Sequence, residues 1–170
     1  MESIKIVKVN SKYCDYLRKF DSRVPYNSGS KELRPFIGVL FYIDDMKYFA
    51  PLSSPKPKHL KLKSKLDLLK LQNGELGVIN FNNMIPVMDD NIINIDINST
   101  CSGETNKKYN KLLQEQIYWI NRNQEKVRGR SQKIYNNYIN KKLPDSLFNR
   151  CCDFKLLEEK CKEYNKTIKE

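Results

Sequence analysis

The stretch Phe36-Ile37-Gly38-Val39-Leu40-Phe41-Tyr42-Ile43-Asp44-Asp45-Met46-Lys47-Tyr48-Phe49-Ala50-Pro51-Leu52 decides how this chain is read. Phe36 to Ile43 is almost wholly apolar, as a central strand covered on both faces would be, and Met46 to Leu52 is a second β run. Asp44-Asp45 joins them by a two-residue reversal, which predicts a tight antiparallel hairpin. The second strand runs straight into Ser53-Ser54-Pro55-Lys56-Pro57-Lys58-His59. Hydroxyls, ammonium groups and the single histidine of the chain are strung along a turn that Pro55 and Pro57 stiffen.

Outward from this stretch the first half stays β-rich. Residues 4–9 roughly alternate and read as a strand. Ser11 is a fair N-cap, and Tyr13, Tyr16, Leu17 and Phe20 fall on one face of a short helix over about 12–21. Residues 22–35, with Pro25, Gly29 and Pro35, read as a loop, and so does the basic segment 53–64. A strand is expected over 64–71, with a helix as the rival reading. It leads to Asn73-Gly74, the strongest short hairpin signal in the chain, and Leu76–Phe81, Met84–Met88 and 92–97 follow as strands. Composition shifts near 99–107. Tyr109, Leu112, Leu113, Ile117, Ile120 and Val127 then share one face of a long helix. Ile134, Tyr135, Tyr138 and Ile139 make a second helix, stopped near Pro144. Phe154, Leu157, Cys161 and Tyr164 make a third, and the polar tail after Asn165 is expected to fray. The plan is α+β: one mainly antiparallel β-sheet with flanking helices in a single domain over 1–170, β-rich over 1–98 and mainly helical over 107–165.

Composition narrows the partners. A chain of 170 residues buries roughly 70% of its unfolded surface and needs no disulfide or metal staple. Thirty-one Lys and Arg against 20 Asp and Glu give a net charge of +11. Nucleic acid is the commonest partner for such a surplus, and an anionic membrane surface the next; the plainest alternative is solubility alone. Five cysteines, Cys14, Cys101, Cys151, Cys152 and Cys161, form no CxxC pair and read as thiols of a reducing cytoplasm. The N-terminus shows no signal peptide, and no apolar run approaches the ~18 residues of a membrane span. One histidine and scattered cysteines make no zinc set, and Asp44-Asp45 and Asp89-Asp90 read as turn residues rather than magnesium ligands. No metal or cofactor is expected.

The basic bend holds the residue types that RNA cleavage needs. RNA carries its own nucleophile, the 2′-hydroxyl. A protein can cut it by aligning that hydroxyl, moving two protons and stabilising the extra charge on the phosphate. Lys56 and Lys58 suit the charge, Ser53 and Ser54 can donate to a phosphate oxygen, and His59 can move a proton. Each also has a plain reading, as a turn residue, a solvated lysine or a packed histidine. Arg34, just before the first hairpin strand, is placed to reach the same site. Tyr13 and Tyr26 suit stacking on bases or hydrogen bonding to phosphate, although Tyr13 fits a half-buried helix face better. Lys107, Lys108, Lys111, Arg122, Lys126, Arg128, Arg130 and Lys133, with Tyr118 and Trp119 among them, make either a solvated helical surface or a groove for a folded RNA.

Five segments in order then resemble one family. They are Ser11-Lys12-Tyr13, Phe36-Ile37-Gly38-Val39, the block Lys47 to Lys56, Leu76-Gly77-Val78-Ile79-Asn80 leading to Met84-Ile85-Pro86, and Phe154-Lys155-Leu156-Leu157-Glu158-Glu159-Lys160. Together they look like the ToxN/AbiQ toxins of type III toxin–antitoxin systems. The resemblance implies a compact, strongly twisted antiparallel sheet with flanking helices, similar to the Kid/MazF toxins. It implies a metal-independent endoribonuclease that leaves 2′,3′-cyclic phosphate and 5′-hydroxyl ends. It also implies an inhibitor that is a structured RNA, processed by the toxin from tandem repeats, and a role in abortive phage infection. Ser54 and Lys56 fall on the family's Ser-Pro-Lys. Ser53 takes a position often threonine, and His59 falls on a nearby histidine, with Lys58 where an aromatic can stand. Arg34 replaces a lysine, and Tyr13 falls on a tyrosine of the first helix. On that reading Ser54, Lys56, Ser53, Arg34 and His59 are the catalytic set, and Tyr13, Tyr26, Lys58, Lys47, Lys107, Lys108, Lys111 and Arg122 contact RNA. A non-catalytic RNA-binding protein and a DNA-binding repressor are the competing readings.

Overall fold

The computed structural model of the chain describes residues 2–26, 34–97 and 104–169, with side chains from 107 onward in the last stretch. The composition shift at 99–107 (in part), Cys101 and residues 27–33 of the expected loop lie outside the described residues. In chain order the elements are β1 (Lys5–Val9), α1 (Ser11–Arg18), β2 (Phe36–Gly38), β3 (Tyr42–Ile43), β4 (Met46–Ser53), α2 (Pro57–Lys61), β5 (Leu68–Lys70), β6 (Val78–Asn80), β7 (Ile85–Val87) and β8 (Ile92–Asn94). Four helices complete the order: α3 (Glu104–Arg122), α4 (Gln124–Ile139), α5 (Asp145–Arg150) and α6 (Phe154–Lys169).

The hairpin forms, and its second strand becomes the axis of the sheet. The N-terminal half of β4 pairs with β3 and β7, and its C-terminal half pairs with β2 and β6, always antiparallel. The strand order is β5-β6-β4-β2-β1-β8. Asp44 turns the corner at φ +51°, a conformation a short polar side chain tolerates. The first arm of the hairpin is not one continuous strand. Between the pairs Ile37–Ala50 and Tyr42–Lys47 it spends five steps against three on β4. Leu40 N–H donates to the Tyr48 carbonyl, and Tyr48 N–H to the Phe41 carbonyl, so the extra residues bulge around one position of β4. Gly38 sits at the start of this bulge, where a Cβ would stand 2.5 Å from the Phe49 ring. Apolar composition, blind to local register, cannot show such a break.

Other boundaries shift for local reasons. Asn10, not Ser11, caps α1: its side-chain oxygen accepts from Lys12 N–H at 2.9 Å. Asn73-Gly74 does not close a two-residue hairpin. β5 and β6 do pair, Leu69 facing Ile79, but a longer connection spans 71–77, with Gln72, Asn73, Gly74 and Gly77 all at positive φ. The single long helix expected across 109–127 breaks at Asn123, whose backbone leaves the helical region (φ −122°, ψ 23°) and whose amide donates to the Trp119 carbonyl at 2.8 Å. Pro144 opens the short α5. The expected fraying after Asn165 is not seen: α6 continues to Lys169 and Asn165 is buried.

The core gathers on β4. Tyr48, Phe49, Ala50 and Leu52 are buried, as are Tyr135 of α4 and Phe154, Leu157 and Cys161 of α6. Burying an aromatic or aliphatic side chain of this size contributes about 1.5–3 kcal/mol, so the helical layer holds β4 rigidly. One buried carboxylate, Glu158, accepts from the hydroxyls of Tyr48 (2.8 Å) and Tyr135 (2.6 Å) and from Lys155 Nζ (3.2 Å). Those partners compensate its removal from water. Cys14, Cys151, Cys152 and Cys161 are buried. No described helix is long and apolar enough to cross a membrane.

Candidate active site

β4 delivers the basic bend at its C-terminal end. Ser53 is its last residue, paired with Val78 of β6. Continuing the β2–β4 register past the bond from Leu52 N–H to the Pro35 carbonyl places Arg34 opposite Ser53. Arg34 is half-buried, and among the described residues no carboxylate pairs with it. Burial draws its pKa below that of a free guanidinium, yet it stays charged at neutral pH. Ser54, Lys56 and Lys58 are exposed. The structure therefore brings Ser53, Ser54, Arg34 and Lys56 to one end of one strand, as the sequence leads one to expect.

Three features that the sequence did not disclose fix the shape of the bend. Gly77, at φ +103°, lies so close to it that a Cβ would stand 2.0 Å from the Ser53 carbonyl oxygen. Gly74, at φ +96°, lies against the His59 carbonyl in the same way, at 2.6 Å. Lys70 Nζ donates to the carbonyls of Leu60 (3.2 Å) and Leu62 (2.9 Å), closing the end of α2. A sequence signal was present in Asn73-Gly74 and Gly77, but a turn signal says nothing of what the turn touches.

His59 is buried, only 3% exposed. Its Nδ1 accepts from the Lys56 backbone N–H at 3.1 Å, while the His59 backbone N–H donates to the Lys56 carbonyl at 2.8 Å. The bond to Nδ1 is the N-terminal lock usually made by Glu or Gln at the third helical position. It leaves the neutral ring with its proton on Nε2. Burial, then the charges of Lys58, Lys56 and Lys70, push the His59 pKa below 6.5. This geometry speaks for a positioning role of His59: the Nδ1 that would take a proton already accepts a bond within the bend. His59→Gln is expected to keep most RNA cleavage, because its amide oxygen can accept the same bond, whereas His59→Ala loses it about tenfold or more. A proton-transferring histidine would be lost equally in both, so cleavage rates of the two variants decide. The pH dependence has a definite sign. With the folded pKa depressed, the His59 contribution to stability is complete above pH ~6.5 and is lost as pH falls through the lower folded value. Urea midpoints should fall more steeply below pH ~6.5 in the parent than in His59→Gln.

Two expected RNA contacts, Tyr13 and Lys47, lie elsewhere. Tyr13 is fully buried, its hydroxyl donating to the Pro86 carbonyl and its ring packed on Tyr164, so it has no face for a base. Burial raises its pKa well above 10. Lys47 lies near the other end of β4, about 20 Å from Ser53 along an extended strand. It is bonded to Asp89 at 2.6 Å, which raises its pKa. Tyr26 is half exposed, with the Arg18 guanidinium 4.8 Å from the centre of its ring. Lys107, Lys108, Lys111 and Arg122 lie on α3, where Arg122 donates to the Tyr118 hydroxyl. Arg128 and Arg130 are held by carbonyls, Arg128 by those of Glu2 and Val39, Arg130 by those of Lys65 and Leu68.

The sequence from residue 5 to residue 162 matches the family of the toxin ToxN of type III toxin–antitoxin systems. The chain belongs to the ToxN toxin family. Endoribonuclease ToxN of Bacillus thuringiensis subsp. kurstaki is 34% identical over 164 residues, which cover 94% of this chain and 84% of that protein. AbiQ, a lactococcal anti-phage endoribonuclease of the type III toxin–antitoxin class, superposes with a TM-score of 0.83 at 30% identity, covering 97% of this chain and 99% of AbiQ. A second solved structure, from a type III system in which a non-coding RNA pseudoknot selectively inhibits the toxin, superposes at 0.81 with 31% identity, covering 96% and 99%. The family's mixed fold of helices and antiparallel sheet is the fold of this chain.

Proposed function

We propose that this ToxN-family chain is a metal-independent endoribonuclease toxin of a type III toxin–antitoxin system, acting in abortive phage infection. A structured, repeat-derived antitoxin RNA is both its product and its inhibitor. The observation that carries the reading is the bend itself. The family's Ser-Pro-Lys stands as Ser54, Pro55 and Lys56, exposed at the tip of the most heavily paired strand in the fold, with Arg34 across from it. In the reaction the 2′-oxygen loses its proton and bonds to phosphorus, the bond from phosphorus to the 5′-oxygen breaks, and that oxygen gains a proton. The products are a 2′,3′-cyclic phosphate and a 5′-hydroxyl. Lys56 and Arg34 would stabilise the extra negative charge on the phosphate oxygens. Ser54 would donate to one of those oxygens and help relay a proton, with Ser53 beside it. Lys58, exposed on α2, would hold a neighbouring phosphate. No histidine is required to change charge.

The test is incubation with single-stranded RNA in excess EDTA, followed by end-group analysis. Cyclic phosphate and 5′-hydroxyl ends formed at an undiminished rate are the expected result. Cleavage that stops in EDTA, or 5′-phosphate ends, would overturn the mechanism. RNA retained intact by the folded protein would instead leave a binding protein.

A further inference from the structure

Beside the bend, two surface hollows of about 660 and 630 Å³ meet at Gln72 and Trp119. One opens between the Gln72 turn and the α3 residues Tyr118 and Arg122; the other opens between that turn, Leu62 of the bend's exit and Lys126. Their shared wall belongs to the scissile region: the turn that carries Gln72 continues into Gly74 and Gly77, which touch the His59 and Ser53 carbonyls. Gln116 of α3 binds that turn through the Leu76 carbonyl at 2.8 Å.

We propose that these hollows form a subsite for unpaired nucleotides next to the cleaved phosphate, with Tyr118 as a base-stacking platform. The inference rests on the endoribonuclease reading above and adds how that site takes its strand. Tyr118 is 64% exposed, and the Arg122 guanidinium lies 5.3 Å from its ring and donates to its hydroxyl at 2.8 Å. A flat ring backed by a cation and left open to water is the surface on which bases of single strands stack. Lys107, Lys111, Tyr118 and Arg122 follow one another at helical spacing of four to seven residues, so one face of α3 leads cations up to the platform. The hollow beside Tyr118 is not built for phosphate. Its wall carries the Glu115 carboxylate and the Gln72 amide, which suit the donors and acceptors of a base edge, while Arg122, Lys126 and Lys63 supply charge around the two hollows. Gln72 is held at φ +48°, ψ 55° by the turn, an uncommon conformation for a long side chain, and donates its amide to Glu75 at 2.8 Å. That bond leaves its amide oxygen to accept from a base.

Trp119, the one tryptophan of the chain, lines both hollows and reports on them directly. The experiment titrates the unaltered protein with a mixed-sequence 2′-O-methyl single strand, which cannot cleave itself, and follows tryptophan fluorescence. Saturable quenching is expected with the single strand, and much less with inorganic polyphosphate or a 2′-O-methyl duplex at equal charge. Tyr118→Ala should weaken binding about 5- to 100-fold, the range for loss of one stacked base, and Tyr118→Phe should restore most of it. Equal quenching by polyphosphate or duplex, or unchanged affinity in Tyr118→Ala, would overturn the subsite. Because the probe is uncleavable, this result stands apart from catalysis: unmodified RNA left uncut by the same protein would remove the endoribonuclease reading and leave the binding result intact.

Discussion

Ser54→Ala is expected to lower RNA cleavage by at least about 10²–10³-fold, the usual loss when one donor to a developing oxyanion is removed. The fold should be unchanged. Ser54 is exposed, lies just past the last β pairing, and no hydrogen bond between its side chain and the described residues holds the bend. The lock on this segment runs instead through His59, Lys70, Gly74 and Gly77. Thermal unfolding of the variant should therefore match the parent within about 0.5 kcal/mol, as for most surface changes. RNA affinity should stay within a few-fold, because Lys56, Lys58 and Arg34 remain. Parent-like cleavage by a well-folded Ser54→Ala protein would take Ser54 out of the mechanism.

Gly77→Ala is the change expected to damage the fold most. The added methyl carbon would stand 2.0 Å from the Ser53 carbonyl oxygen and 3.3 Å from the Pro55 nitrogen, and the backbone is at φ +103°. The obstacle is main chain of the central strand, which cannot swing aside as a side-chain tip would. A loss of about 3 kcal/mol or more is expected, from overlap added to an unfavourable φ. Against a total of about 5–15 kcal/mol that is a large share. Gly129 supplies the control. It lies within α4, and a methyl group added there would meet nothing within 4 Å, so Gly129→Ala should be neutral or stabilise by up to about 1 kcal/mol. Urea denaturation of the two variants should move in opposite directions; equal midpoints would mean that the bend tolerates displacement.

What the sequence made legible, and what it hid, follows from the range of the interactions involved. The apolar run from Phe36 and the run to Leu52 identified the hairpin because burial acts through composition. The same rule merged β2 and β3, since the bulge opposite Tyr48 depends on which residue of β4 each one faces. Helix faces were readable from Leu113, Ile120, Ile134, Phe154 and Leu157, all buried as expected. The break at Asn123 was not, because an amide reaching back to its own helix leaves no mark on hydrophobic spacing. At the site, Ser53, Ser54 and Lys56 stood out as a cluster along the chain, and Arg34 followed from hairpin pairing. Residue type alone misplaced Tyr13, whose hydroxyl is consumed by the Pro86 carbonyl, and could not show that His59 Nδ1 is bonded to the Lys56 backbone. Gly77 acts through its contact with the distant Ser53 carbonyl, which only three-dimensional proximity reveals.

The pairing of Ser53 with a strand made twenty-five residues later has a consequence for synthesis. While the ribosome has yet to release Val78, the serine end of the strand has no neighbour on that side, and the glycine that seats its carbonyl does not exist. A growing polypeptide thus carries Ser53, Ser54 and Lys56 before the frame that shapes their bend, which is complete only after residue 78 has been made.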